Sequence, residues 1–285
     1  MDSQRLLGGL LMAQLRGGGG SLKRPFADIT HTPFEVVRDL AYGPDANQCL
    51  DVYRSPDASN APVLFMVHGG AWMAGDKGSQ RVIEGKVLHW LPKGYILVSV
   101  NYRFVPAVNV LQQRDDLAAA LAYVQAHAAE WGGDPSRVVL MGHSAGAHLL
   151  GLLAAGADAI DDNGQSKWRG AVLLDSAAID VVSIMSAVHP PFYDRVFGSD
   201  PAYWQCVSPY HCLNTSVPPM LVVCSQSRER SMAAATRFAR KAAQLGGAVQ
   251  VLPVMLSHQE INEKLGEDAT YTAEVDRFLS SLGLP

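Results

Sequence analysis

The sequence predicts an α/β protein: a mostly parallel sheet covered by helices on both faces, with one small cap-like insertion. Three observations predict it. Continuous apolar runs at 63–67, 95–100, 170–174 and 220–224, broken only by Ser99, are as short as strands, as in strands buried on both faces. Longer stretches between them carry apolar residues at helical spacing, such as Leu117, Leu121 and Val124. The segment from Val138 to His148 runs three apolar β-formers into Gly142-His143-Ser144-Ala145-Gly146 and on into small residues, which reads as strand, very tight turn and helix. Of the 285 residues, 48% are hydrophobic and 18% charged, enough apolar surface for one large core.

The chain then divides in order. Residues 1–33 are expected to form an N-terminal amphipathic helix ending in the glycine run 17–20 and a connector. Asp2 precedes the short apolar run and no clean cleavage site follows, so this is not read as a signal peptide, and the cytoplasm is the expected location. Residues 34–285 are read as a single domain. Segments 34–40 and 48–53 alternate apolar and polar and form two antiparallel strands joined through Gly43-Pro44-Asp45. A strand at 63–67 leads into His68-Gly69-Gly70-Ala71-Trp72. A helix over 80–91 stops at Pro92 and Gly94, and a strand follows over 95–100. An Ala-rich helix over 113–131 ends at Gly132-Gly133, and Asp134-Pro135-Ser136 turns the chain into the strand before Ser144. A helix over 145–155 and a strand over 170–175 come next. From 178 to 217 no period is visible, but aromatic residues abound, so an irregular cap or substrate wall is expected. Strand 220–224, a helix through Ala235, Phe238 and Ala242, strand 249–254 and a last helix through Tyr271, Val275 and Phe278 complete the pattern.

Composition narrows the function. The net charge is −4 and no Lys/Arg run occurs, so nucleic acid is not an expected partner. No stretch is long enough to span a membrane. The four cysteines form no C-x-x-C pair and read as buried small hydrophobes in a reducing compartment. His143 and His148 are five apart, off a single helical face, so no metal is called for. No G-x-G-x-x-G opens a helix, and no other cofactor is indicated.

The chemistry centres on Ser144. A serine hydroxyl needs a base to take its proton. In a strand–elbow–helix fold of this type the base follows the nucleophile in chain order, with an acid between them. His258 follows the last strand, where a loop at the carboxyl edge of the sheet would place it above Ser144. Glu229 is the one carboxylate just after strand 220–224 and is the expected acid, with Asp175 and Asp180 as alternatives. Paired glycines after a buried strand expose bare N–H groups. Those of Gly69 and Gly70, with that of Ala145, would form an oxyanion hole. His68 and Trp72 flank these glycines and are expected at the substrate, with Trp72 closing the acyl side.

Taken together these residues resemble the α/β-hydrolase superfamily over nearly the whole chain after residue 34. His68-Gly69-Gly70-Ala71-Trp72 resembles the H-G-G-x-W signature of the kynurenine formamidase and small-carboxylesterase branch. The elbow, Leu50-Asp51-Val52-Tyr53, Asn101-Tyr102-Arg103 and His258-Gln259-Glu260-Ile261-Asn262 are similar to other pieces of it. The resemblance implies Ser144 as nucleophile, His258 as base, and Gly69, Gly70 and Ala145 as oxyanion donors. It departs at the acid, where that branch usually has an Asp near the position of Glu229. The expected activity is a cofactor-free serine hydrolase acting on a small carboxylic ester. The alternative substrate is an aryl formamide such as N-formylkynurenine, since both pass through the same tetrahedral intermediate. A ligand-binding protein on a hydrolase fold is the reading from another class; such proteins usually lose part of the triad.

Overall fold

The computed structural model describes residues 31–156, 159 and 167–285. The N-terminal helix expected within 1–33 therefore lies outside the described residues. The first two strands, β1 (Glu35–Ala41) and β2 (Cys49–Arg54), pair antiparallel. Then come β3 (Ala61–Val67), α1 (Gln80–Trp90), β4 (Ile96–Val100), α2 (Val110–His127), β5 (Gly133–His143), α3 (Ala145–Ala155) and β6 (Gly170–Leu174). Four short helices follow: α4 (Val181–Met185), α5 (Phe192–Phe197), α6 (Pro201–Cys206) and α7 (Pro209–Cys212). The chain closes with β7 (Met220–Ser225), α8 (Glu229–Gln244), β8 (Val249–Val254), α9 (His258–Glu263) and α10 (Ala269–Ser281).

The eight strands lie in the order β1-β2-β4-β3-β5-β6-β7-β8. β2 pairs antiparallel with β4, and every pair from β4 to β8 is parallel. Side-chain alternation divides the core in two. Val63, Phe65 and Val67 of β3 and Val138 and Leu140 of β5 face the layer of α2, α3 and α8. Leu64 and Met66, with Val139 and Met141, face the layer of α1 and α10. This is why the strand runs are apolar at nearly every position: neither face meets water.

Three differences from expectation have a clear local cause. α2 starts at Val110 because Asn109 and Gln112 form a capping box. β5 starts at Gly133 rather than after Ser136, through pairing of Gly133 with Ala61. Segment 178–217 is not irregular but built of the short helices α4 to α7. Their starts are set by the aspartate caps Asp180 and Asp200 and by the prolines Pro201 and Pro209 in first turns. Helices of four to six residues are too short to show a period. The cysteines are all free, but only Cys224 is buried, and Cys206 is exposed. Among the described residues no helix is long and apolar enough to cross a membrane.

Candidate active site

Ser144 sits between β5 and α3 at φ 56° and ψ −113°, a conformation that L-residues rarely hold. Its neighbours make the turn possible. A Cβ on Gly142 would lie 2.8 Å from the carbonyl of Gly146, and one on Gly146 would overlap the Val67 carbonyl oxygen. The Ser144 N–H donates to the Leu174 carbonyl at 2.9 Å, fixing the elbow to the end of β6.

His258 is the first residue of α9, not a loop residue. Ser257 and Glu260 form a capping box at that terminus and set the direction of the first turn. The His258 imidazole Nε2 lies 3.0 Å from Ser144 Oγ. Its Nδ1 lies 2.7 Å from Asp175 Oδ2. Asp175 therefore selects the tautomer with the proton on Nδ1, which leaves Nε2 free to accept from the hydroxyl.

The carboxylate that meets His258 is thus a correction. Glu229 is exposed and begins α8, where a carboxylate complements the helix N-terminus. Asp180 is also elsewhere: it caps α4 and pairs with Arg237 at 2.8 Å. Asp175 follows directly on β6, is fully buried, and takes a positive φ of 50° that turns its carboxylate toward α9. Its N–H donates to the Val223 carbonyl at 2.8 Å. Oδ1 accepts from Ser231 Oγ at 2.5 Å, and the Ser225 N–H points at it from 3.4 Å. Oδ2 accepts from His258 and also from Arg228 Nη1. These donors hold the Asp175 carboxyl well below the usual carboxylate range despite its burial. Burial, with Arg228 adding to it, lowers the His258 pKa below 6.5 against the pull of Asp175. The available signal was a carboxylate directly after an apolar run, one strand from the elbow; chain order alone pointed one strand further.

His143 packs against His258 with ring centroids 4.6 Å apart, and its Nε2–H donates to the His258 carbonyl at 2.9 Å. Burial pushes its pKa well down, so it stays a neutral brace for the base.

The glycine loop abuts Ser144. A Cβ on Gly69 would lie 3.0 Å from Ser144 Cβ. Gly70, at φ 137°, has no room for one beside the Ala74 carbonyl. Ala71 and Trp72 also take positive φ, 52° and 61°, so the backbone winds tightly here. Ala145 is the first residue of α3, so its N–H has no partner within the helix.

The side chains expected at the substrate are buried instead. Trp72 is 3% exposed, and its indole N–H donates to His148 Nδ1 at 3.0 Å. His148 in turn donates from Nε2 to the Val207 carbonyl at 2.7 Å, joining the glycine loop, α3 and the 178–217 segment. Phe197 packs edge-on against Trp72, and Tyr193 tilts against it. His68 is 1% exposed and stacks on Tyr102, whose hydroxyl donates to the His68 carbonyl at 3.1 Å. Both rings brace the loop because its strained backbone needs packing to persist. Gln113 adds a clamp from α2, donating to the carbonyls of Trp72 and Arg103, both at 2.8 Å. Two other pieces of the resemblance, 50–53 and 101–103, are also structural. Asp51 holds buried Lys77 at 2.8 Å, Asn101 accepts from the Lys77 N–H at 2.7 Å, and Arg103 pairs with Asp116.

Comparison with known proteins agrees with this architecture. The chain is similar to a probable carboxylic ester hydrolase, LipM, of Mycobacterium tuberculosis, at 33% identity over 72% of this chain and 52% of that protein. Esterase LipQ of the same organism is 29% identical over 81% of this chain and 58% of its own length. The chain thus spans about half the length of the curated relatives it matches. The crystal structure of inhibited esterase B from Lactobacillus rhamnosis superposes with a TM-score of 0.72 at 18% identity. It covers 98% of this chain and 93% of that one. At that identity it speaks for the fold, which is the α/β-hydrolase fold. The BD-FAE family model matches residues 50–229, a segment holding the glycine loop, the elbow and Asp175, and the chain belongs to the BD-FAE family.

Proposed function

We propose that this protein is a serine hydrolase that cleaves small carboxylic esters through an acyl-enzyme on Ser144. The observation that carries the reading is the continuous line of contacts from Ser144 Oγ through His258 to Asp175, at 3.0 Å and 2.7 Å. His258 Nε2 takes the hydroxyl proton as Oγ attacks the acyl carbonyl. The N–H groups of Gly69, Gly70 and Ala145 face the oxygen on which negative charge develops. His258 then gives the proton to the leaving alcohol. Water, deprotonated by the same imidazole, releases the acid. Trp72, His68, Gln113 and His148 keep the glycine loop in place. The ester hydrolases among its relatives favour this substrate class over the aryl formamide, which stays as the comparator.

Labelling with a fluorophosphonate tests the nucleophile: the wild-type protein is labelled and Ser144→Ala is not. Turnover tests the substrate. Phe197 and Tyr193 pack on Trp72 behind the glycine loop and stiffen it, and kcat/KM is expected to peak at acyl chains of about two to four carbons. Each methylene that fits adds roughly 0.8 kcal/mol of burial, and one that clashes removes more. A formamide exceeding every ester by more than about 100-fold, roughly 2.7 kcal/mol, would transfer the assignment to formamidase chemistry.

A further inference from the structure

Arg228 is not part of the three-residue arrangement described above, yet it touches two of its members. It lies in the β7–α8 connector, immediately before α8, and its guanidinium is 25% exposed. Nη1 donates to Asp175 Oδ2, the same oxygen that accepts from His258, and lies 2.6 Å from His258 Nδ1. It also points at the Asp175 carbonyl from 3.4 Å. Two donors so close cannot bond to each other; both must aim at the shared carboxylate oxygen. When His258 gains a second proton, its ring becomes a cation in direct contact with a permanent cation.

The geometry points to Arg228 as a positioning residue that shares Asp175 with His258 and opposes protonation of His258, keeping the base neutral in more acidic solution. This rests on the reading of Ser144, His258 and Asp175 as a catalytic triad. The lowering of the His258 pKa by Arg228 agrees with it. So does the sequence of the connector: Ser225-Gln226-Ser227-Arg228 holds no carboxylate, and the position facing Asp175 is taken by a cation.

Other ionisable groups face this cluster, and none reproduces the effect. His143, from β5, is held neutral by burial. Tyr193 from α5, Tyr271 from α10 and Cys224 from β7 all titrate above their ordinary values. Lys86 of α1 is pushed down to about 7 by burial and acts on His143. A limb due to Lys86 would persist in an Arg228 variant and vanish in Lys86→Met.

The test compares wild type, Arg228→Met and Arg228→Lys. The ring protons of His258 are followed by NMR against pH, and kcat/KM for an aryl acetate is measured over the same range. With Arg228→Met both midpoints are expected to move to higher pH by about one unit, the size of shift a neighbouring like charge produces. Arg228→Lys should restore most of the wild-type value. A midpoint for His258 that stays in place in a folded Arg228→Met protein overturns the proposal. The NMR readout needs no turnover. A shifted midpoint in a protein that hydrolyses no ester would therefore overturn the functional reading and leave the Arg228 contact standing.

Discussion

Both oxygens of Asp175 are occupied, by Ser231 on one side and by His258 and Arg228 on the other. Its carboxylate is thus fixed in a single orientation, and His258 is fixed by it. Asp175→Asn is expected to lower kcat by on the order of 10⁴-fold, because an amide no longer selects the productive tautomer. Glu229→Gln should stay within about twofold of wild type, the expectation for an exposed residue outside the site. Measured side by side with an aryl acetate, the two variants decide the acid. That Ser144, His258 and the glycine pair lie together was legible in the sequence because each is tied to a local pattern: an elbow, the loop after the last strand, a Gly-Gly after a buried strand. The acid has no local pattern. Asp175 and Glu229 both follow apolar strands, and only the sheet order shows which strand end reaches α9.

The elements carrying the site are held at their ends. Ser257 caps α9 one residue before His258, so its loss should affect both stability and chemistry. Ser257→Ala is expected to reduce unfolding free energy by about 1 kcal/mol, as for other N-caps, read from the urea midpoint. A several-fold fall in kcat should accompany it, because the first turn that aims the imidazole frays. The strands and the long helices were visible from apolar runs and 3.6-residue spacing. Helices α4 to α7 were not, because each offers little more than one turn of pattern. What defines them is caps, prolines and contacts such as His148 to the Val207 carbonyl, which are long-range facts.

At the scale of the molecule, pH couples to chemistry through His258 and to stability through Lys86. His258 must be neutral to accept a proton, and its pKa lies below the ordinary 6.5. The acid limb of kcat/KM is therefore expected below pH 6.5, and a midpoint at or above that value would contradict the packing around the ring. Stability answers to Lys86, whose ammonium is buried against the carbonyl and side-chain oxygen of Asn262, at 2.8 Å and 3.0 Å. Its folded pKa of about 7 lies below the ordinary 10.5. Between those values the unfolded chain holds a proton that the folded chain lacks, so stability from this group climbs with pH and is lost as pH falls toward 7. Urea midpoints at pH 7, 8.5 and 10 should rise for wild type relative to Lys86→Met. The elbow and Asp175 also share a scaffold, since the amides of Ser144 and Asp175 donate to the carbonyls of Leu174 in β6 and Val223 in β7. Deuterium should enter these two amides only when the entire sheet opens, whereas the amides of the six-residue α9 should exchange through local fraying. Under mild denaturant the molecule would then misplace its base first, and lose turnover while nucleophile and acid still sit in register.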